Sequence, residues 1–155
     1  MGFSACYPAG WLVAEHEDPE QATRWVDLDE PTSDRSTGEG LKLISVRVSP
    51  NLTGSIGEEF LNAAAIALID KYSGVLVGWP RVVEVDGREA VAANYEHTVP
   101  YQTGPVEVVG WETVLLADEQ QWTIEVAGRR EYREELEGIH NEFLSHLDIA
   151  PLSGG

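Results

Sequence analysis

The sequence predicts an α+β domain built as an antiparallel β-sheet with two helices packed on it. Three observations lead there. Asp86-Gly87 separates two strand-like runs with the dipeptide whose positive backbone angles suit a tight hairpin turn. The runs that follow alternate apolar and polar residues, as half-buried strands do, and are joined by short turn-like segments. The hydrophobic period then lengthens from two to that of a helix in two places, once before these strands and once after them.

Taken in order, residues 3–15 read as extended chain interrupted by Pro8 and Gly10, a bent or edge strand. Residues 23–29, with Trp25, Val26 and Leu28, and residues 41–49, with Leu43, Ile44, Val46 and Val48, read as strands around a polar loop at 31–40. The spacing predicts a helix over 55–72. Phe60, Leu61, Ala64, Ala65, Leu68 and Tyr72 form its buried stripe, Ser55 and Glu58 have the spacing of a capping box, and Gly74 supplies a left-handed stop.

Residues 81–85 and 88–99 form the hairpin about Asp86-Gly87. A turn at 100–105 leads into a strand at 106–117, apolar on both sides through Val108, Val114 and Leu116 versus Val109, Trp111 and Leu115, and so expected inside the sheet. After a turn at 118–121, the strand at 122–128 sets Trp122, Ile124 and Val126 opposite Thr123 and Glu125. Tyr132, Leu136, Ile139, Phe143 and Leu147 then fall on one stripe of a closing helix that ends near Asp148, with Glu131, Glu134 and Glu135 near its positive end. Hairpin-connected strands with helices before and after them make a meander that both helices can cover.

With 155 residues and 43% hydrophobic content, residues 1–150 make one domain and 151–155 a short flexible tail. Cys6 is the single cysteine, so no internal disulfide forms, and no Cys or His tract has zinc-site spacing. The apolar run 63–69 is closed by Asp70 and Lys71, too short for a membrane span. Phe3-Ser4-Ala5-Cys6 faintly resembles a lipoprotein cleavage site but lacks the basic and apolar stretches that precede one here. The expected location is cytoplasmic as written, or secreted or lipid-anchored if a signal precedes these residues.

Ten basic against 27 acidic residues give a net charge of −17, which repels phosphate backbones and excludes a nucleic-acid partner. Glu15, Glu17, Asp18, Glu20, Asp27, Asp29, Glu30, Asp34 and Glu39 crowd one early stretch. They suit either a basic partner or a solvated loop of a salt-adapted protein. Lys42 and Lys71 are the only lysines, as fits a salt-adapted or GC-rich source.

Catalytic and metal motifs are absent from this pattern. His140 and His146 lie about 120° apart around a helix axis and do not converge, while Glu142 and His146 match a surface helix pair. His16 and His97 have no local acid–base partner arrangement. Asp27-Leu28-Asp29 with Glu30 offers oxygen atoms but not the spacing or central glycine of a calcium loop. No nucleophile elbow, phosphate loop or dinucleotide fingerprint occurs, so no cofactor is expected. Asn51-Leu52-Thr53 is a glycosylation acceptor in form only. Of the five tryptophans, Trp11, Trp25 and Trp122 read as core, whereas Trp79, before Pro80, and Tyr101, in a loop, are the aromatic candidates for an exposed contact.

Phe3 to Tyr7 followed by Pro8-Ala9-Gly10-Trp11, the helix opening at Ser55, Val85-Asp86-Gly87-Arg88-Glu89-Ala90 leading to Tyr95, and a last strand entering a helix that reaches Phe143 resemble the PsbP-like superfamily over nearly the whole chain. That superfamily includes photosystem extrinsic subunits and the Ran-binding nuclear import factor. The resemblance implies an α-β-α sandwich used to bind proteins, with no shared catalytic residues. The expected function is a non-enzymatic protein-binding or assembly module, with Trp79, Tyr101, Asp27, Asp29 and Glu30 as candidate partner contacts. The alternative is a carrier of a small apolar ligand or lipid held between sheet and helix.

Overall fold

A computed structural model describes residues 2–150; the tail expected at 151–155 lies outside the described residues. Strands β1 (Phe3–Ser4), β2 (Leu12–Asp18), β3 (Thr23–Asp29) and β4 (Lys42–Pro50) precede helix α1 (Gly57–Lys71). Strands β5 (Arg81–Val85), β6 (Arg88–Tyr101), β7 (Gly104–Ala117) and β8 (Gln120–Arg129) follow it, then a 3₁₀ turn (Arg130–Tyr132), helix α2 (Arg133–Ser145) and strand β9 (Asp148–Ile149).

Strands β2 to β8 form one antiparallel sheet in the order β2-β3-β4-β8-β7-β6-β5. It consists of two meanders, β2-β3-β4 and β5-β6-β7-β8, joined where β4 pairs with β8 from Lys42↔Gly128 to Pro50↔Gln120. The hairpin about Asp86-Gly87 forms as expected, and both residues carry positive φ. The turn expected at 100–105 is tighter, because pairing continues to Tyr101↔Gly104.

Strand β7 lies inside the sheet and feeds two cores from its two faces. Val109, Trp111 and Leu115 join Ile44, Val46, Ile124 and Val126 against Leu136, Phe143 and Leu147 at the end of the chain. Val108 and Val114 join Leu43, Val91 and Tyr95 beneath Phe60, Leu61, Ala64 and Leu68 of α1. Helices therefore cover both faces, which is the α-β-α sandwich that the resemblance implied. The two predicted helical stripes are the faces that meet the sheet.

Two local expectations need correction. The helix starts at Gly57 with Ile56 as N-cap and no side-chain cap, so Ser55 and Glu58 do not form a capping box. The preceding turn competes for the serine: its hydroxyl pairs with Thr53 Oγ1 at 2.8 Å, and its carbonyl accepts from Asn51 Nδ2 at 2.7 Å. Residues 3–15 are also not one strand. Phe3–Ser4 leaves the large sheet and pairs with Asp148–Ile149, seated by edge-on contacts of Phe3 with Trp122 and Phe143. Leu12–Asp18 then forms the edge strand.

Phe143 has no exposed surface at the centre of the core under α2, whereas Ile66 faces outward from α1. Phe143→Ala is expected to lower unfolding stability by about 3–5 kcal/mol. Ile66→Ala is expected to change it by less than about 0.5 kcal/mol, with urea denaturation as the measurement.

Candidate functional site

The residues proposed from sequence do not converge. Asp27 and Asp29 share one face of β3 near one edge of the sheet, while Trp79 enters β5 at the other. Asp27 accepts from Ser45 Oγ at 3.1 Å and sits 3.3 Å from His16 Nε2. Arg35 bridges the two aspartates, at 3.5 Å from Asp27 and 2.8 Å from Asp29. Beside them His16 stacks on Trp25, and Arg47 lies 5.4 Å over the same indole. Trp25, expected in the core, is thus half-buried under polar groups. Glu30 turns its carboxylate to the backbone N–H of Thr32 at 3.0 Å. These acids are occupied by local cations and donors.

Tyr101 is half-buried at the end of β6, with its ring lying over Gly38, where a Cβ would come within 2.7 Å of it. Arg129 donates to the Gly38 carbonyl at 3.2 Å, so Tyr101 and Arg129 pin the 31–40 loop. Trp79 behaves differently. It is 78% exposed, whereas Trp11, Trp111 and Trp122 are buried. Val77 and Val82 beside it in sequence are more than half exposed, and β5 is the last strand of the sheet.

Sequence reading missed a polar cluster beneath α1. Glu112 of β7 and Glu125 of β8 are directly paired across the two strands, and Glu112 is only 3% exposed. Lys71 donates to Glu112 at 2.7 Å and Tyr72 O–H at 2.8 Å, while Tyr95 O–H donates to Glu125 at 2.8 Å. Tyr72 also reaches Glu125 at 3.2 Å, so one hydroxyl bridges both carboxylates. The two phenol rings stack 4.3 Å apart. Gly110 makes this possible, because a Cβ there would meet the Tyr95 ring at 2.1 Å. The only advance signal was Glu112 on a face otherwise formed by Val108, Val114 and Leu116, and its register against Glu125 could not be read.

Burial, followed by the charge of Glu125, pushes both phenols well above their ordinary value near 10. They stay neutral donors, each directed at one oxygen of the carboxylate it serves. The arrangement ties the end of α1 to three strands. His140 is likewise buried, stacked on Trp111 at 5.6 Å, and burial lowers its pKa so that the ring stays neutral.

Two clefts have charged residues in their linings. One of about 140 Å³ lies where β6, β7 and α2 meet, lined by Asn94, Glu96, Trp111, Arg133 and Glu137. Another of about 290 Å³ is lined by Thr37, Glu39, Thr103, Pro105 and Arg129.

The raised phenol pKa values set a pH dependence. An unfolded chain releases these protons near pH 10 while the folded chain keeps them, so their contribution is complete below that pH and is lost as pH rises beyond it. Tyr95→Phe is expected to cost about 1.5–3 kcal/mol at neutral pH, by removing a donor to a carboxylate. It is also expected to reduce the alkaline loss of stability, measured by urea denaturation at about pH 7 and about pH 11.

No family model matches the chain, and no curated protein matches its sequence. Solved structures do match in shape. The solution structure of cyanobacterial PsbP (CyanoP) from Synechocystis sp. PCC 6803 is 14% identical over 96% of this chain and 86% of that one, with a TM-score of 0.58. The crystal structure of LpqN, described as involved in cell envelope biogenesis of Mycobacterium tuberculosis, is 12% identical over 96% and 83%, with a TM-score of 0.60. A crystal structure from Bacteroides thetaiotaomicron is 13% identical over 97% of this chain but 46% of that one, with a TM-score of 0.52. Among the described residues no helix is long and apolar enough to cross a membrane. At such low identity the likeness lies in the fold, and the chain has the PsbP-like fold.

Proposed function

We propose that the protein is a non-enzymatic binding module that docks a protein partner through the β5 edge, with Trp79 as the anchor. The exposure of Trp79 carries this reading. An indole held in water forfeits one of the largest hydrophobic gains available to a side chain, and exposed aromatic residues are where interfaces concentrate their energy. Val77 and Val82 extend the apolar surface, and the outer edge of β5 offers unpaired backbone groups to an incoming strand. The accessory role suggested by the PsbP-like fold agrees with this.

The acidic residues have a secondary part in this reading. Asp27 and Asp29 are held by Arg35 at the far edge, so they contribute to the long-range field of a chain with net charge −17 more than to contact. A carrier of an apolar ligand draws less support, because charged residues line both clefts, Glu96, Arg133 and Glu137 in one and Glu39 and Arg129 in the other.

The test is cross-linking of the native protein in lysate, identification of the captured protein by mass spectrometry, and affinity measurement with purified components. Trp79→Ala is expected to leave stability within about 0.5 kcal/mol. It is expected to weaken partner binding by about 2 kcal/mol or more, roughly 30-fold. Asp29→Asn is expected to change affinity little and to alter its salt dependence. Unchanged affinity of Trp79→Ala would remove the β5 edge as the docking site, and a small molecule released on denaturation in place of a protein partner would favour the carrier.

A further inference from the structure

The first residues of the chain and the end of α2 come together through a pairing that sequence spacing does not show. In the two-stranded sheet Phe3 faces Ile149 and Ser4 faces Asp148, and Ala150 N–H donates to the Gly2 carbonyl at 2.7 Å. Continuing that antiparallel register by two residues brings Cys6 opposite His146, the C-cap residue of α2. Glu142 lies one helical turn before His146 on the same face. A thiol, an imidazole and a carboxylate thus meet at the surface, with one ligand atom from each, all within 4.8 Å of one another.

We propose that Cys6, Glu142 and His146 form a zinc-binding site. Bond lengths near 2.0–2.3 Å in tetrahedral geometry place ligand atoms about 3.3–3.6 Å apart, within reach of these exposed side chains by small rotamer changes. Thiolate and imidazole select zinc over magnesium or calcium, which prefer oxygen alone. Three protein ligands leave the fourth position to water. His146 Nδ1 already rests 3.1 Å from the Glu142 carbonyl and 3.2 Å from its carboxylate, which holds the ring at the helix end. Taken alone, Glu142 and His146 make an ordinary surface pair; Cys6 changes their chemistry because a soft sulfur ligand now completes a set of three. Binding converts the Cys6 thiol to a zinc thiolate and releases its proton to solvent, so affinity rises with pH. The bound ion would clip the segment after β1 to the end of α2.

Cobalt(II) is the direct probe, because a sulfur ligand gives a thiolate-to-metal charge-transfer band and a tetrahedral site gives strong visible bands. Protein stripped of metal and kept reduced by a phosphine is titrated with cobalt and then with zinc. Both signatures are expected, with zinc displacing cobalt. Cys6→Ser is expected to abolish the charge-transfer band, while Glu142→Gln and His146→Ala weaken zinc binding by more than about tenfold. His16→Ala should bind as the parent does. Circular dichroism confirms that the variants fold, and all three ligands are exposed, so substitution spares the core. Absence of the charge-transfer band in the parent, or zinc affinity indifferent to the three substitutions, would overturn the proposal.

Discussion

The pairing of β4 with β8 is the constraint on which the molecule depends. It joins strands separated by α1 and three other strands, and it fuses two local meanders into one sheet. Each hairpin can form from neighbouring chain, but the core under each helix draws on strands of both meanders. Once β4 and β8 are in register, Ile44, Val46 and Val48 continue the apolar rows of Trp122, Ile124 and Val126 beneath α2. A slip of one residue would exchange these rows for Ser45, Arg47, Thr123 and Glu125. Gly128 marks how close the approach is, since a Cβ there would meet the Leu41 carbonyl at 2.4 Å.

Beneath α1 the same seam produces the opposite environment. Glu125 faces Ser45 on one side and Glu112 on the other, so a row of polar groups crosses the sheet under an apolar helix. Desolvating neighbouring carboxylates is costly, and Lys71 with two phenols offsets that cost by donating to one oxygen of each. These bonds are directional, whereas burial of Leu68 or Phe60 is not. They fix where α1 lies along the sheet and couple its last turn to β6, β7 and β8.

The elements visible in the sequence were those set by local periodicity. The stripes of Phe60 to Tyr72 and Tyr132 to Leu147, the turn at Asp86-Gly87 and the two apolar faces of β7 all report nearby residues, and the PsbP-like pattern added the layer order. What stayed hidden depends on register between distant segments. Glu112 and Glu125 read as polar positions on separate strands until pairing set them side by side, and Cys6 gave no hint of His146 because a two-residue strand brings them together. The capping motif at Ser55 misled for a related reason: side chains of the preceding turn compete for the same hydroxyl. Among the candidate contacts, Trp79 was legible only as an aromatic beside a proline whose exposure the structure decides, and the pairing of Asp27 and Asp29 with Arg35 was not legible at all.

The two ends of the sheet are chemically unlike. Strand β2 lies open on both faces, yet it carries Glu15, Glu17 and Asp18 along a short length. Another copy laid along it would set like charges against each other, the device by which natural sheets discourage edge-to-edge growth. Strand β5, with Val82 and the adjoining Trp79, has no comparable row of acids. On the proposed docking at β5, a sheet with acids along its other margin takes one added strand and does not polymerise. An assembly through the receptive margin therefore terminates, as a closed two-fold pair or a single heterologous complex, and not as a fibre.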